Sequence, residues 1–559
     1  MSDSYTRMNR RAIILTCVLV AGSLTVVTTA GATVAPEDGS VVDTYEQVEA
    51  PEVLCRASGS GILGTFSNDE KYGHQGSEVW GPTDLNSQIS NQRLAVGTNQ
   101  KGTMTLFKYP NPSYADQIKH HAFDRREDYY GSDPNSGAFL GAVITKEDGT
   151  QESTWFREWG PLNTTDPDYG DHVNQTWASE FSDTLITRYG NDRLGLDVTV
   201  TNLVPKEHDV FIRDVYVDAR DGSPVEEVEV VSYENFNLVD DKDSLSPTQD
   251  WCSEGENAET AEYDAGSDAV LHHTPTGPWS ESGAEFSVAT GMAFDGESTQ
   301  HQVAGDDYMG DSPNDPYVLL SDGNFDLPGE ESYTGQTSVA MTKDIGFDDG
   351  QGSARVYFAA AHDKEPNKDL SDEVATKIEN ARDLSVQDEI QDKEEWFRQY
   401  VEDAPMPENA PENVKKVARR SLVSIVQVWN DETVNEHGFS GNIPAAVTTQ
   451  PPYGADWIRD GAYFDYIIDR FISGDGRHDW VNQHNRWYMS LQQNPDGPCP
   501  EHCHDNMKDY NYADLVPQVS SVPEGGWAMN YYADGDVAAP IGGEIDETAY
   551  GAWTFWDHY

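Results

Sequence analysis

The spacing of hydrophobic residues changes near Asp363 and divides the chain into two parts. Before this point, segments such as RLGLDVTVTNLV, DVFIRDVYVDA and SARVYFAAAHD alternate with a period of two and are rich in Val, Tyr and Phe. This pattern is typical of strands with one buried face, and the Gly, Pro, Asn and Asp clusters between them indicate turns. Residues 53–365 are therefore predicted to form a large antiparallel β-sandwich.

After Asp363 the period is that of helices, and at 559 residues the chain is long enough for more than one domain. Residues 366–404 are predicted to form a polar helical linker. Residues 405–559 are predicted to contain four helices. These begin near Pro411, Arg459, Trp480 and Glu547.

The predicted helices are joined by alternately short and long connections, the long ones spanning about 430–458 and 494–546. Loops of this length are uncommon in compact domains unless they carry function. Helix pairs in which every second connection is long indicate a helical toroid, with a site where the long loops meet at one end. The predicted architecture is a β-sandwich followed by a partial (α/α)6 toroid.

Acidic residues dominate the composition, with 98 Asp and Glu against 36 Lys and Arg and a formal net charge of −62. This balance excludes a general nucleic-acid binder, which needs Lys and Arg to neutralise phosphates. Calcium sites would concentrate the acids in a few loops, and a disordered tail would place them in one block. Here they are spread among aromatic residues, which indicates a hydrated anionic surface suited to high salt.

The N-terminal residues have the features of an export signal. An Arg pair precedes the apolar run AIILTCVLVAGSLTVV, and the small residues Ala30, Gly31 and Ala32 follow. Residues 1–32 are therefore predicted to be a signal peptide, whose Arg pair resembles a twin-arginine export signal, and residues 33–52 a polar tether. The alternative is a membrane anchor; otherwise the mature chain has no stable membrane span. Both interpretations predict a secreted or cell-surface protein.

A short segment, CPEHCH, combines cysteines and histidines. Cys499 and Cys503 could close a small disulfide loop, could bind a metal together with His502 or His504, or could be unrelated thiols. The spacing does not match a standard zinc pattern. No metal site is therefore predicted.

The segment QPPYGADWIRDGAYFDY places aromatic and charged residues where a helix begins. Arg459 and Asp460 could be a surface pair, with Asp460 stabilised by the helix dipole. The alternative is a sugar site. A guanidinium and a carboxylate form charge-assisted hydrogen bonds with hydroxyls, and the rings of Tyr453 and Trp457 pack on the apolar face of a sugar.

The second long loop offers further candidates. Trp527, with Tyr531 and Tyr532, would form aromatic walls if the loop faces a pocket, or simple loop packing if it does not. Asp546 and Glu547 open the fourth helix. They are either first-turn acids or a carboxylate pair that binds sugar hydroxyls.

The segment TTQPPYGADWIRDGAYFDYIID resembles the Tyr…Trp-x-Arg-Asp segment of family 15 glycoside hydrolases, the glucoamylase and glucodextranase group. EIDETAYGAW resembles the next active-site loop of that family. The resemblance implies that Tyr453, Trp457, Arg459 and Asp460 hold the terminal glucose of an α-glucan. It also implies that Asp546 or Glu547 helps at that subsite or the next.

The resemblance further implies an exo-acting, inverting hydrolase that releases glucose from non-reducing ends without a cofactor. Family members have twelve helices, and their general acid and general base follow the fifth and eleventh. We therefore expect both glutamates beyond Tyr559, in a longer enzyme of which this chain is a C-terminally truncated form, and no turnover by this chain as given. Glucodextranase and trehalase are alternatives within the family, and a non-catalytic extracellular glycan-binding protein is an alternative outside it.

The charge balance predicts that salt stabilises the fold. Repulsion between surface charges extends over a screening length of about 30 Å at 0.01 M salt but only about 3 Å at 1 M. In dilute buffer the surface carboxylates therefore repel one another with little screening. We expect the melting temperature to rise steeply between these two KCl concentrations, as followed by circular dichroism. A melting temperature independent of KCl would contradict a salt-adapted surface.

Overall fold

A computed structural model of the 559-residue chain describes most of the sheet-rich part and much of the helical part. The described residues are 87–113, 117–118, 137–159, 172–236, 238, 259–274, 286–305, 314–335, 337–347, 349–430, 441–445, 455–472, 477–492, 526–531, 533, 535 and 545–559. The predicted signal peptide and polar tether lie outside these ranges, as does the CPEHCH segment.

Strands dominate the part before Asp363 and are joined by turns, as the period-two pattern predicts. The seventeen strands of this part are β1 (Ser87–Ser90), β2 (Ala95–Thr98), β3 (Met104–Lys108), β4 (Phe139–Lys146), β5 (Gln151–Trp155), β6 (His172–Trp177), β7 (Leu185–Asn191), β8 (Leu196–Leu203), β9 (Val210–Ala219), β10 (Val225–Glu234), β11 (Glu259–Asp264), β12 (Ala269–His273), β13 (Ser287–Phe294), β14 (Gln300–Gly305), β15 (Ser332–Gly335), β16 (Thr337–Asp344) and β17 (Gln351–Asp363).

These strands form three antiparallel sheets. The largest has nine strands in the order β15-β11-β12-β13-β17-β9-β8-β7-β6, and the second has five in the order β14-β16-β10-β4-β5. The third sheet joins β1, β2 and β3. In the middle of the nine-stranded sheet, β17 pairs with β13 on one side and β9 on the other, with Phe358 opposite Met292 and Phe211.

The two larger sheets share one hydrophobic core. Alternate residues of β8, beginning at Leu196, point into it, and so do Val228 and Val230 of the smaller sheet. The opposite face of the nine-stranded sheet packs against Val374 and Ile378 of a helix. This layering is compatible with the predicted β-sandwich.

Seven α-helices lie within the described residues. They are α1 (Pro316–Ser321), α2 (Ser371–Arg382), α3 (Val386–Val401), α4 (Glu412–Val428), α5 (Ile458–Phe471), α6 (Arg477–Leu491) and α7 (Ile545–His558). The four helices predicted after residue 405 correspond to α4 to α7. Helix α1 was not predicted, because six residues are too few to show a helical period; it begins at Pro316 after an Asp315 cap.

Helices α3 to α6 share a second core, which contains Trp396, Val426 and Ile468. This core touches the sheet-rich part through Leu106 and Phe181. The described helices are thus compatible with a helical domain after the sheets, while closure of a toroid and the proposed domain limits stay predictions. Every helix in the described ranges is too short or too polar to cross a bilayer.

Buried polar contacts join helices α3 and α4 to the sheet-rich part. Lys393 lies 3.2 Å from Asp183, and both side chains are fully buried. Asp183 also accepts hydrogen bonds from the Ser90 N–H at 2.9 Å and from the Gln427 amide at 2.9 Å. A buried charge is tolerated only when such partners surround it.

Replacing Lys393 with Met should therefore leave the Asp183 carboxylate buried without its counter-ion. We expect the free energy of unfolding, measured by urea denaturation in high salt, to fall by about 3–5 kcal/mol. The matched control is Lys206→Met, because Lys206 makes an exposed ion pair with Glu207 that is worth about 1 kcal/mol or less. Equal effects of the two variants would contradict a stabilising role for the buried pair.

Candidate functional site

The candidate site forms where helix α5 begins. The preceding residues, Asp456 and Trp457, form the short strand β18, which pairs with β19 (Asn530–Tyr531) from the second long loop. Asp456 lies opposite Tyr531, and Trp457 opposite Asn530. This two-stranded ladder brings the two long connections together, as the sequence analysis predicts.

Arg459 stands in the first turn of α5 and contacts acids from two helices. Its guanidinium Nη1 lies 2.9 Å from Asp546 Oδ2 and 2.9 Å from Glu547 Oε1, both in the first turn of α7. Asp460 Oδ2 lies 3.7 Å from Nη2, and the Trp457 ring centroid lies 5.7 Å from Cζ. The structure therefore brings together five of the predicted site residues.

The two acids that open α7 have different environments. Glu547 is fully buried, and its Oε2 accepts the Arg459 backbone N–H at 2.5 Å. Asp546 keeps about half of its side chain exposed. Glu547 thus fixes the backbone and the side chain of Arg459, whereas Asp546 can also meet a ligand.

Burial raises the pKa of Glu547 to about 8, although the hydrogen bond and charge of Arg459 oppose the shift. Burial also raises the pKa of Asp460, again against the charge of Arg459. The hydrogen bond from Arg459 instead holds the pKa of Asp546 below its usual value. The site thus combines a fixed cation with carboxyls that lose their protons over different pH ranges.

A buried imidazole lies beneath this surface. His484 of α6 contacts Asp465 Oδ1 through Nδ1 at 2.8 Å and Asp456 Oδ2 through Nε2 at 2.9 Å. Burial disfavours the charged ring, but the two carboxylates outweigh this effect and raise the pKa of His484 to about 10. Thr554 of α7 donates to the other oxygen of Asp465 at 2.6 Å, so the network joins three helices.

Two further groups fix Asp456. Tyr488 Oη donates to Oδ1 at 2.8 Å, and the Ile443 N–H donates to Oδ2 at 2.8 Å. Gly461 allows this close packing: a Cβ there would overlap Tyr488 Oη and lie 2.8 Å from His484 Cε1. A glycine inside the helix is the sequence signal for this close approach.

Trp527 belongs to the packed layer under the start of α5. It is 3% exposed, and its indole N–H donates to the Tyr488 carbonyl at 2.8 Å. Ile458, Leu491 and Tyr531 belong to the same cluster. In this structure Trp527 supports the site from beneath, and direct contact of its ring with a sugar stays a prediction.

The structure also shows an aromatic surface next to Arg459 that the sequence analysis did not assign to the site. Tyr463 lies one turn after Arg459, is 40% exposed, and has its hydroxyl 2.9 Å from that of Tyr550. Trp553 packs against Tyr463 at 5.7 Å and stacks on Tyr466 at 5.8 Å. Helical spacing on α5 and α7 explains this alignment, but only after the two helices are known to be neighbours.

Some predicted residues lie outside the described part of the chain. They are Tyr453, Tyr532, Cys499, Cys503, His502 and His504. Among the described residues, the site offers a guanidinium, two partly exposed carboxyls and a partly exposed indole. These are groups that hold a neutral polyhydroxylated ligand by its hydroxyls and its apolar face.

Comparisons with known proteins identify structures with a similar fold. Neither a family sequence profile nor a curated protein sequence matches the chain. In structure, it is similar to a bacterial glucoamylase complexed with acarbose, with a TM-score of 0.55 and 9% identity over 86% of this chain. It is also similar to a putative kojibiose phosphorylase from the human microbiome, with a TM-score of 0.50 and 10% identity over 86% of this chain.

The chain matches 56% and 54% of the lengths of those two structures. At this identity the likeness concerns the fold. The described part of the chain therefore has a glucoamylase-like fold, shared by proteins whose names denote glycosidase and phosphorylase activities.

The buried network predicts a pH-dependent stability. The pKa of His484 in the folded chain, about 10, lies above the ordinary value of 6.5. The stability that the charged ring provides is therefore fully present below about pH 6.5 and is lost as the pH rises through about 10. We expect the free energy of unfolding to fall between these limits by on the order of 5 kcal/mol more in the parent chain than in His484→Gln. Chemical denaturation across this range measures the difference.

The matched control for this measurement is His208→Gln, which alters a partly exposed histidine outside the network. It should keep the pH dependence of the parent chain. Parallel pH profiles for the parent and His484→Gln would show that the imidazolium does not hold the two carboxylates.

Proposed function

We propose that the start of helix α5 binds the terminal glucose of an α-glucan, as the sugar-holding subsite of an exo-acting, inverting, glucoamylase-like hydrolase. The observation that carries this proposal is the group of Arg459, Asp460 and Asp546 beside the Trp457 ring, at the junction of the two long loops. The glucoamylase-like fold supports a carbohydrate ligand.

Each group has a defined task in this proposal. The Arg459 guanidinium and the carboxylates of Asp460 and Asp546 form charge-assisted hydrogen bonds with hydroxyls at the non-reducing end. Trp457 covers an apolar ring face. Tyr453, if it joins them as the sequence resemblance implies, completes the aromatic contact.

Glu547 acts through Arg459 and is therefore a positioning residue. Its Oε2 accepts a hydrogen bond from the Arg459 backbone N–H, its Oε1 lies within ion-pair distance of the Arg459 guanidinium, and its side chain is fully buried. An inverting hydrolase needs a general acid and a general base about 6.5–9.5 Å apart, with room for water between them. We do not assign either role to Glu547, and we propose that both belong to other glutamates of the whole enzyme.

Hydrolysis and simple binding are separated by one experiment. A form of the enzyme that includes both proposed glutamates is titrated with acarbose and with maltotriose by calorimetry, and glucose release is followed by proton NMR, which resolves the two anomers. Binding with release of β-glucose supports the inverting hydrolase. Binding without release supports the glycan-binding alternative, and no binding of either sugar contradicts the proposal.

Replacing Arg459 with Ala should remove most of the sugar affinity. Loss of charge-assisted hydrogen bonds of about 1.5–3 kcal/mol corresponds to roughly ten-fold to more than a hundred-fold weaker binding. Calorimetry with acarbose measures this loss, and far-UV circular dichroism should show unchanged helix content. Arg470→Ala is the matched control, because Arg470 lies in the last turn of the same helix and pairs with Asp557. Normal binding by Arg459→Ala would exclude its assigned role.

Replacing Glu547 with Gln should weaken binding less than Arg459→Ala does. The amide oxygen can still accept the Arg459 backbone N–H, but the negative charge that Glu547 carries beside the guanidinium above its pKa of about 8 is lost. In any form of the enzyme that turns over, KM should rise while kcat stays near its original value. Asp557→Asn in the same helix is the control. A loss of kcat with intact binding would identify Glu547 as a general acid.

A further inference from the structure

A second group of polar side chains lies at the opposite end of helix α5. Asp469 stands in the last turn of α5, His478 in the first turn of α6, and His558 is the last residue of α7. Asp469 and His478 flank the connection between α5 and α6, whereas His558 is distant along the chain and joins them because α7 packs against α5. The proposed function uses none of them.

One carboxylate connects the two imidazoles. His478 Nδ1 lies 2.8 Å from Asp469 Oδ1, and His558 Nδ1 lies 2.7 Å from Asp469 Oδ2. One ligand atom from each of the three residues can be chosen so that all lie within 4.8 Å of one another. Two imidazole nitrogens and a carboxylate oxygen therefore lie close enough together for a single ion to contact all three after a small rearrangement.

The three side chains of this group differ in burial in a way that suits a bound ion. Asp469 and His558 keep 8% and 5% of their side chains exposed, so two of the donors are held firmly by packing. His478 keeps 58% exposed, which opens the group to solvent on one side. An ion could thus reach the group from solvent and keep a water molecule as a further ligand.

The donor types select the ion. Imidazole nitrogen suits zinc and its transition-metal neighbours, whereas calcium and magnesium prefer all-oxygen ligands. We propose that Asp469, His478 and His558 bind a zinc-class divalent ion, with water in the open position. The net charge of −62 favours accumulation of cations near the surface.

The observed contacts require only a small adjustment to accept zinc. Ligand atoms about 2.0–2.1 Å from a tetrahedral zinc lie about 3.4 Å from one another. The two contacts between Asp469 and the imidazoles would therefore lengthen by roughly half an ångström or slightly more. Any pair of ligand atoms near the 4.8 Å limit would move closer together. His478 is exposed enough to move in this way. The bound ion would then tie the end of α5 to the start of α6 and the end of α7.

The experiment uses the full chain in high salt after dialysis against a chelator. Zinc chloride is titrated by calorimetry, bound zinc is counted by elemental analysis, and melting temperatures are recorded with and without the ion. We expect one zinc per chain and a higher melting temperature with zinc. Cobalt should occupy the same position and give a visible d–d absorption band, whereas excess calcium should not displace zinc.

Three variants test the ligands. Asp469→Asn, His478→Gln and His558→Ala should each weaken zinc binding at least ten-fold, and His478→Gln should fold normally because its side chain is exposed. His273→Ala, in strand β12, is the matched histidine control and should bind as the parent does. Unchanged affinity in His478→Gln and His558→Ala would overturn the proposal, as would the absence of stoichiometric zinc in the parent chain.

The cysteine segment is the competing location for a metal. The double variant Cys499→Ser, Cys503→Ser should keep its zinc and the stabilisation that zinc provides. Loss of zinc in this variant, with retention in His558→Ala, would place the metal at the cysteines and overturn the proposal. Sugar binding is measured separately, so failure of the zinc site leaves the proposed function untouched.

Discussion

A buried imidazolium held between two carboxylates is the interaction on which the helical part depends. His484 contacts Asp465 and Asp456, one within α5 and the other just before it, and Thr554 of α7 completes the network. Because the charged ring is buried away from solvent, the two carboxylates fix its position. The backbone that carries Trp457 and Arg459 is therefore rigid where it must present side chains to a ligand.

The surface site is a continuation of this network. Asp456 contacts the buried His484. Trp457 follows Asp456 in strand β18, and Arg459 lies in the first turn of α5. Glu547 joins the two layers, because it fixes the backbone and guanidinium of Arg459 from the neighbouring helix α7. In the proposed sugar site, Glu547 would position Arg459 and Asp546 would contact the ligand.

Both ends of α5 gather polar residues from α6 or α7, but with different chemistry. At its beginning, a guanidinium meets several acids beside an indole, an arrangement suited to neutral hydroxyls. At its end, two imidazoles share one carboxylate, an arrangement suited to a metal ion. The hydrophobic cluster around Trp487 and Tyr488 lies under the first of these, and the α3–α6 core packs along the helix between them.

The sequence by itself determined the change from strands to helices near Asp363, the positions of α4 to α7, and the candidate residues of the Trp457–Asp460 segment. These features can be predicted because hydrophobic periodicity and local residue chemistry depend only on residues that are close together in the sequence. Only the tertiary structure decided that Glu547 and Trp527 are buried, that His484 lies between two carboxylates, and that Asp469, His478 and His558 meet. Those facts depend on which helices are neighbours, and side chains brought together from distant segments leave no periodic signal in the chain.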